Sequence, residues 1–415
     1  MIDLKEFAEK WSFLKDKTVF IACSGGVDSI VLAALVKIFC KNITLLHVNY
    51  NLREQESIED ALFVEEFAKQ NQFFLEIKSV DTNKILQENA GNLQDVARKI
   101  RFDWFAEKLK LENSVLLLAH HQDDQIETFF QHLARKSGIL GLACMLEIHE
   151  NIMRPLLNFS KEEIYAYAKE NAISWREDSS NKSNKYTRNK LRNEFLPFLK
   201  TKIPDLNKSV LTLIKVFQEN QREIENSVKD LIFTIKENHF LSKEDFINLN
   251  VEQKIVILKE FDFLPSQVVE FDKLESVQKG KFISSSNFKI IKEENGFSFL
   301  NLNFKKAIPN LILEEVFTFP KTFSKSEIYL DKNKIQGELK LDFWKIGDRI
   351  SPLGMKGSKL ISDVITEAKI SNAERESILV LKDDFQIHWC LGLKIGRNAI
   401  ANSECEKLIR VRVGE

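Results

Sequence analysis

The stretch Cys23-Ser24-Gly25-Gly26-Val27-Asp28-Ser29 decides the fold. An apolar run, Thr18 to Cys23, leads into it, and an apolar helical pattern, Ile30 to Val36, leads out. Two glycines therefore sit at a strand-to-helix turn. A helix start carries unpaired N–H groups and the positive end of the helix dipole, and together these favour an anion. Gly25 and Gly26 lack Cβ, so the backbone can turn sharply and approach a phosphate. Ser24 and Ser29 add hydroxyls. Asp28, in the first turn, can cap the helix or hold a metal ion bound to phosphates. The stretch is neither G-x-x-x-x-G-K-[ST] nor G-x-G-x-x-G.

Outward from this loop, strand and helix signals alternate as far as about Ile173. Strands are expected at Thr18–Cys23, Ile43–Val48, Phe73–Val80 and Val115–Ala119, and helices at Asp28–Cys40, Glu56–Gln70, Leu93–Leu109 and Asp123–Lys136. Such alternation predicts an α/β fold, an N-terminal parallel sheet with helices on both faces. Ligands of such sheets sit beyond the carboxyl ends of the strands. The chemistry-bearing residues fall there. His47, after the second strand, can meet a nucleotide base. After the fourth come His120-His121-Gln122-Asp123-Asp124, then Glu127. Asp124 and Glu127 are spaced i, i+3 on one helix face and suit an ammonium group or Mg²⁺. His121 can act as acid or base. Arg98 and Arg101, also i, i+3, form a clamp for a phosphate or a transition-state charge.

From Asn181 to Lys202 the bases are Lys182, Lys185, Arg188, Lys190, Arg192, Lys200 and Lys202, with Glu194 as the single acid. A local basic run holding Tyr186 is the composition of a nucleic-acid contact. The chain as a whole gives no polyelectrolyte signal: Lys plus Arg number 60 and Asp plus Glu 61. Its 415 residues suffice for two or three domains. The five cysteines form no C-x-x-C pair, which suits reduced thiols. No apolar stretch reaches the ~20 residues of a membrane helix, and the N-terminus has no signal-peptide core, so a cytoplasmic protein is expected.

Beyond Pro204 long amphipathic runs, Ser209–Leu231 and Lys243–Glu260, predict a helical middle domain with a few strands near Phe282–Phe304. Lys321–Lys334 reads as a linker into a small α+β C-terminal domain. There glycine-rich turns carry Arg349, Lys356 and Lys359 outward, and Ile387–Gly392 reads as a buried strand. The expected domains are 1–204, 205–320 and 321–415.

Ser-Gly-Gly-x-Asp-Ser resembles the signature of the PP-loop ATP pyrophosphatases. The order of blocks Ser24–Ser29, His47–Arg53, Ala97–Phe102, Ala119–Thr128, Arg135–Gly141, Arg154–Leu157 and Glu177–Arg192 resembles the tRNA(Ile)-lysidine synthetases. That resemblance implies ATP with Mg²⁺, free L-lysine and the CAU-bearing isoleucine tRNA as partners. It implies adenylation of C2 of the first anticodon cytidine with loss of pyrophosphate. Attack by the lysine ε-amino group then releases AMP. On this basis Ser24, Gly25, Gly26, Val27, Asp28, Ser29 and His47 are assigned to ATP, and Asp28 to Mg²⁺. Asp28, Arg98, Arg101, His121, Asp124 and Glu127 are assigned to catalysis. Arg188, Asn189, Arg192, Arg349, Lys356 and Lys359 are assigned to tRNA. A homodimer is compatible with the sequence. Two positions depart from the family pattern. Tyr50 replaces a frequent second histidine, and Lys136 replaces the glycine of Arg-Gly-Ser-Gly. The alternatives are a PP-loop tRNA thiolase, an amidotransferase-type synthetase and a non-catalytic nucleotide sensor. The first lacks paired cysteines here. The basic patch disfavours the second, and the third leaves Asp124 and Glu127 without a task.

Overall fold

The structure, a computed structural model, describes residues 2–51, 54–80, 93–177, 190–303, 308–320, 326–370, 372–375 and 377–414. The chain divides into two compact units, Met1–Glu223 and Ile224–Glu415.

The first unit opens with helix α1 (Leu4–Trp11), which the mixed charges of the N-terminus concealed. The Asp3 carboxylate caps it, accepting from the N–H groups of Lys5 and Glu6, and the helix buries Phe7 and Trp11. The sheet then assembles from β1 (Thr18–Ala22), β2 (Ile43–Asn49), β3 (Phe74–Ser79) and β4 (Ser114–Leu117), joined by α2 (Val27–Lys37), α3 (Glu54–Asn71) and α4 (Leu93–Lys108). After β4 come α5 (Gln122–Ala134), α6 (Gly138–Leu142), β5 (Ile148–His149), β6 (Ile152–Met153) and α7 (Lys161–Glu170). Strand order is β3-β2-β1-β4-β6-β5, parallel except for the antiparallel β5–β6 pair. β5 and β6 have two residues each, too few to show a period in sequence.

Alternation along β1 serves both faces, as a doubly covered sheet requires. Val19 and Ile21 join a core with Leu32 of α2, Val64 of α3 and Ile164 of α7. Phe20 points the other way, against Trp104 and Phe105 of α4. β2 and β4 flank β1, so the order reverses at β1/β4. Beyond the carboxyl ends of these two strands lies the crevice where such folds bind ligands.

In the second unit the run expected to be one helix, Lys243–Glu260, is two: α8 (Lys243–Asn248) and α9 (Val251–Glu260). Asn250 breaks it. Its side chain accepts from the Gln253 N–H while the Gln253 side chain accepts from the Asn250 N–H. Strands β7 (Phe240–Ser242), β8 (Phe282–Ser284), β9 (Phe288–Lys292) and β10 (Gly296–Asn301) form an antiparallel sheet in the order β7-β10-β9-β8. Its core is aromatic, with Phe246 and Phe297 ring centroids 4.6 Å apart and Phe261 and Phe299 likewise.

The described part of the expected linker is instead strand β12 (Glu327–Asp331), with Ile328 and Leu330 buried, followed by a 3₁₀ turn at Lys332–Lys334. β12 and β11 (Leu311–Val316) flank the last strand, Leu408–Val413. Within 339–413 the strand Ile387–Cys390 is wholly buried. Gly347, Gly354 and Gly357 take φ of 98°, 81° and 106°, the turns their sequence predicts.

The hairpin before that strand carries a buried carboxylate, Asp383. It accepts from the N–H groups of Gln336, Phe385 and Gln386 and lies 2.9 Å from His388 Nε2. Burial works against its charge, but these partners outweigh it and hold its carboxyl below the usual carboxylate range. A depressed folded-state pKa adds stability above the unfolded value, near 3.9, and loses it as pH falls through the folded value. In urea unfolding, Asp383→Asn is expected to lower stability at pH 7 by about 2 kcal/mol and to flatten the loss seen in the parent chain below about pH 4.

Candidate active site

The turn from β1 into α2 is closed by its own serines. Ser29 Oγ donates to the Gly26 carbonyl at 3.0 Å and accepts from the Ser24 N–H at 3.2 Å. The Gly26 N–H donates to Ser24 Oγ at 3.3 Å. Gly25 has φ 89°, which glycine adopts without strain, and a Cβ there would meet Val64 Cγ2 at 3.3 Å and push it by a few tenths of an ångström. The first-turn N–H groups of Val27, Asp28 and Ser29 have no intrahelical acceptors, and no side chain caps the helix.

Around this loop the fold gathers charged side chains from four segments. Lys161 Nζ, at the first position of α7, lies 2.6 Å from both Asp28 carboxylate oxygens. His121, buried at the start of α5, places Nε2 3.9 Å from Asp28 Oδ2 and 3.4 Å from Asp124 Oδ2. The His121 N–H also donates to Asp124 Oδ2. Arg192 then closes the row, with Nη2 3.1 Å from Asp124 Oδ1 and Nε 2.5 Å from Glu127 Oε1. Glu127 is 1% exposed. Burial of the Arg192 guanidinium opposes its charge, and Glu127, Asp124 and Asp28 outweigh that and raise its pKa. Two carboxylates of α5 thus face one guanidinium.

A cleft of about 450 Å³ opens beside the loop, lined by Ser24, Asp28, His47, Tyr50, Arg101 and His120 among others. His47 is buried, and its Nδ1 lies 2.9 Å from the Cys23 carbonyl. Burial lowers its pKa, only partly offset by that carbonyl and Asp60. A neutral ring donating through Nδ1 leaves Nε2 as an acceptor. Arg98 and Arg101 both lie over the Phe102 ring, at 4.8 and 5.5 Å, and Arg101 lines the cleft. Among the described residues no group of three or more His, Cys, Asp or Glu is placed to hold a metal ion unaided. Asp28 fits the usual magnesium arrangement, in which a carboxylate shares the ion with substrate phosphates.

Arg188 and Asn189, with Lys182, Lys185 and Tyr186, lie outside the described residues. Arg349, Lys356 and Lys359 belong to the second unit: Arg349 donates to Ser358, Lys356 is exposed and Lys359 pairs with Glu367. Lys161 escaped the sequence reading, being one lysine beside the cap of α7 and 133 positions from Asp28.

Comparison with known proteins bears on the whole chain. A family profile described as PP-loop domain matches residues 2–199, and one described as TilS substrate C-terminal domain matches 339–413. The tRNA(Ile)-lysidine synthase of Bacteroides thetaiotaomicron is 28% identical, over 92% of this chain and 91% of that protein. That of Bacillus subtilis is 29% identical, over 95% and 93%. The chain belongs to the tRNA(Ile)-lysidine synthase family. Among solved structures, the U34-tRNA thiolase NcsA from Methanococcus maripaludis with its [4Fe-4S] cluster aligns at a TM-score of 0.42. It is 15% identical over 52% of this chain and 78% of that one.

The two departures from the lysidine synthase pattern now have structural descriptions. Tyr50 donates its hydroxyl to the Ala97 carbonyl at 3.1 Å, tying the loop after β2 to α4. Lys136 takes φ 55°, so the loop keeps the left-handed residue that glycine favours. The Lys136 N–H bonds the Leu133 carbonyl and the Ser137 N–H bonds that of His132, a Schellman closure of α5. Lys136→Gly is therefore expected to stabilise the protein by about 1 kcal/mol, read as a rise in the urea midpoint.

Proposed function

We infer that the protein ligates free L-lysine to C2 of the cytidine at the first anticodon position of the CAU-bearing isoleucine tRNA. Family membership supports the activity. The observation that carries the site assignment is the placement of His121 Nε2 between Asp28 of the phosphate loop and Asp124 of the carboxylate pair. One row of side chains thus serves both half-reactions.

In the first, the C2 carbonyl oxygen attacks the α-phosphate of ATP, and pyrophosphate departs into the loop Ser24–Ser29. The N–H groups of Val27, Asp28 and Ser29 receive the charge that builds on the leaving group. His47 Nε2 suits an amino group of a base, and Arg98 and Arg101 are assigned to the α-phosphate or the target nucleotide. Mg²⁺, held by Asp28 together with the phosphates, supplies further neutralisation of that charge when bound. In the second, the lysine ammonium docks on the carboxylates of Asp124 and Glu127. With a pKa near 10.4 it must lose a proton before attack. Asp124 or His121 takes it, the free amine attacks C2, and AMP leaves with the former carbonyl oxygen. Lysidine then pairs with A where cytidine paired with G, moving codon reading from AUG to AUA.

We assign tRNA contact to Arg188 and Asn189, and to the parts spanning 205–320 and 321–415, with Arg349, Lys356 and Lys359 at the acceptor end; Arg192, expected among the tRNA contacts from the sequence, is engaged by Asp124 and Glu127 instead. Among the described residues no helix is long and apolar enough to cross a membrane, and a cytoplasmic site of action follows from the tRNA substrate. Burial pushes the Cys144 and Cys390 thiols up to about 12, which disfavours their thiolates.

The test is incubation with ATP, labelled lysine and unmodified isoleucine tRNA bearing CAU. Label is expected to enter the tRNA in equal amount to the AMP and pyrophosphate released. A folded protein that binds ATP but incorporates no lysine would be a nucleotide sensor and would end the proposal.

A further inference from the structure

The pairing of Lys161 with Asp28 points to a role no sequence motif assigns. Both Asp28 oxygens lie 2.6 Å from one ammonium, in the first turn of a helix with no side-chain cap, and Asp28 lines the cleft. The pair is partly open, with Lys161 29% and Asp28 26% exposed. An ion pair so exposed adds little to stability. The backbone under Lys161, by contrast, is held tightly. Its N–H donates to Asp123 Oδ2 at 2.9 Å, and Ser160 and Glu163 form a reciprocal capping box around it. Its ammonium passes 5.1 Å from the Tyr165 ring centroid. A fixed base with a flexible four-carbon stem lets the ammonium travel several ångströms while Cα stays in place.

We propose that Lys161 is a phosphate-positioning residue that is parked on Asp28 until the nucleotide arrives. The inference rests on the ATP-dependent reaction assigned above. A carboxylate oxygen given to a divalent ion cannot keep its hydrogen bond to an ammonium, so ion and ammonium compete for Asp28. The displaced ammonium is left beside the phosphate chain, whose oxygens are its next acceptors. Parking also keeps an uncompensated carboxylate from repelling an incoming polyanion.

The experiment is calorimetric titration of the full chain with the α,β-methylene analogue of ATP, which cannot lose pyrophosphate. Titrations at several Mg²⁺ concentrations would compare the parent chain, Lys161→Ala, Lys161→Met and Lys161→Arg. At saturating Mg²⁺ the Ala and Met variants are expected to bind the analogue about tenfold or more weakly, and Lys161→Arg within about threefold of the parent. In Ala and Met the Mg²⁺ concentration for half-maximal binding should fall, because the competitor for Asp28 is gone. Lys161→Met keeps the apolar stem over Tyr165 and guards against a folding defect in Lys161→Ala. A lowered melting temperature with unchanged analogue affinity and Mg²⁺ midpoint would make the pair structural and overturn the proposal. If the parent chain itself fails to bind the analogue, the ATP-dependent reaction is what fails.

Discussion

Replacing Arg192 by alanine is expected to lower unfolding free energy by about 3 kcal/mol and lysine incorporation at least about a hundredfold. Glu127 is almost fully buried and Asp124 nearly so, and the Arg192 guanidinium bridges them. Taking away one member of a buried charge group costs far more than the group's net worth, because the remaining charge stays out of water. Loss of activity after such a change could be mere unfolding. A paired substitution separates the effects. Arg192→Met with Glu127→Gln removes both charges and keeps the volumes, so most of the lost stability should return in urea unfolding. Lysine incorporation should not return, because the carboxylate pair assigned to the substrate ammonium is then left with Asp124 alone. Pyrophosphate release dependent on tRNA should survive in the double variant within about tenfold, since the phosphate loop is untouched. A double variant that ligates lysine at the parent rate would remove Glu127 and Arg192 from the amine site.

What the sequence disclosed and what it hid divide along physical lines. Ser24–Ser29 was legible because a turn that cradles phosphate needs small residues at consecutive positions, and Gly25 at φ 89° shows the need. The four long strands were legible to within two residues because β1, β2 and β4 are short apolar runs bounded by turns. Asp124 and Glu127 stood out through helical spacing alone. Their counter-ion did not, because Arg192 is 65 positions from Glu127 and reads locally as one more base in a basic run. Lys161 was hidden for the same reason. The break at Asn250 and the strand Glu327–Asp331 were missed for another. Amphipathic periodicity runs through a helix cap without interruption, and a strand set among lysines and acids has a linker's composition.

Asp28→Asn is expected to reduce tRNA-dependent pyrophosphate release by about a hundredfold to a thousandfold while leaving the protein folded. Asparagine keeps the shape of the side chain and removes its charge. Asp28 is partly exposed, and its partner Lys161 can turn to solvent, so the melting temperature should move little. The loss should fall on kcat more than on the KM for ATP. The loop N–H groups still bind the phosphates in the ground state, while the charge that a magnesium ion held by Asp28 would offset grows only as pyrophosphate departs. The contrast with the Arg192 and Glu127 substitutions then orders the two half-reactions. Rapid quenching of the double variant should trap adenylated tRNA that accumulates without lysine, whereas Asp28→Asn should yield none. His121 lies between the two carboxylates, so its replacement by asparagine should slow lysine transfer from a preformed adenylate more than it slows adenylation. If Asp28→Asn releases pyrophosphate within tenfold of the parent chain, the phosphate loop does not need its acid, and the leaving group must be neutralised by other residues.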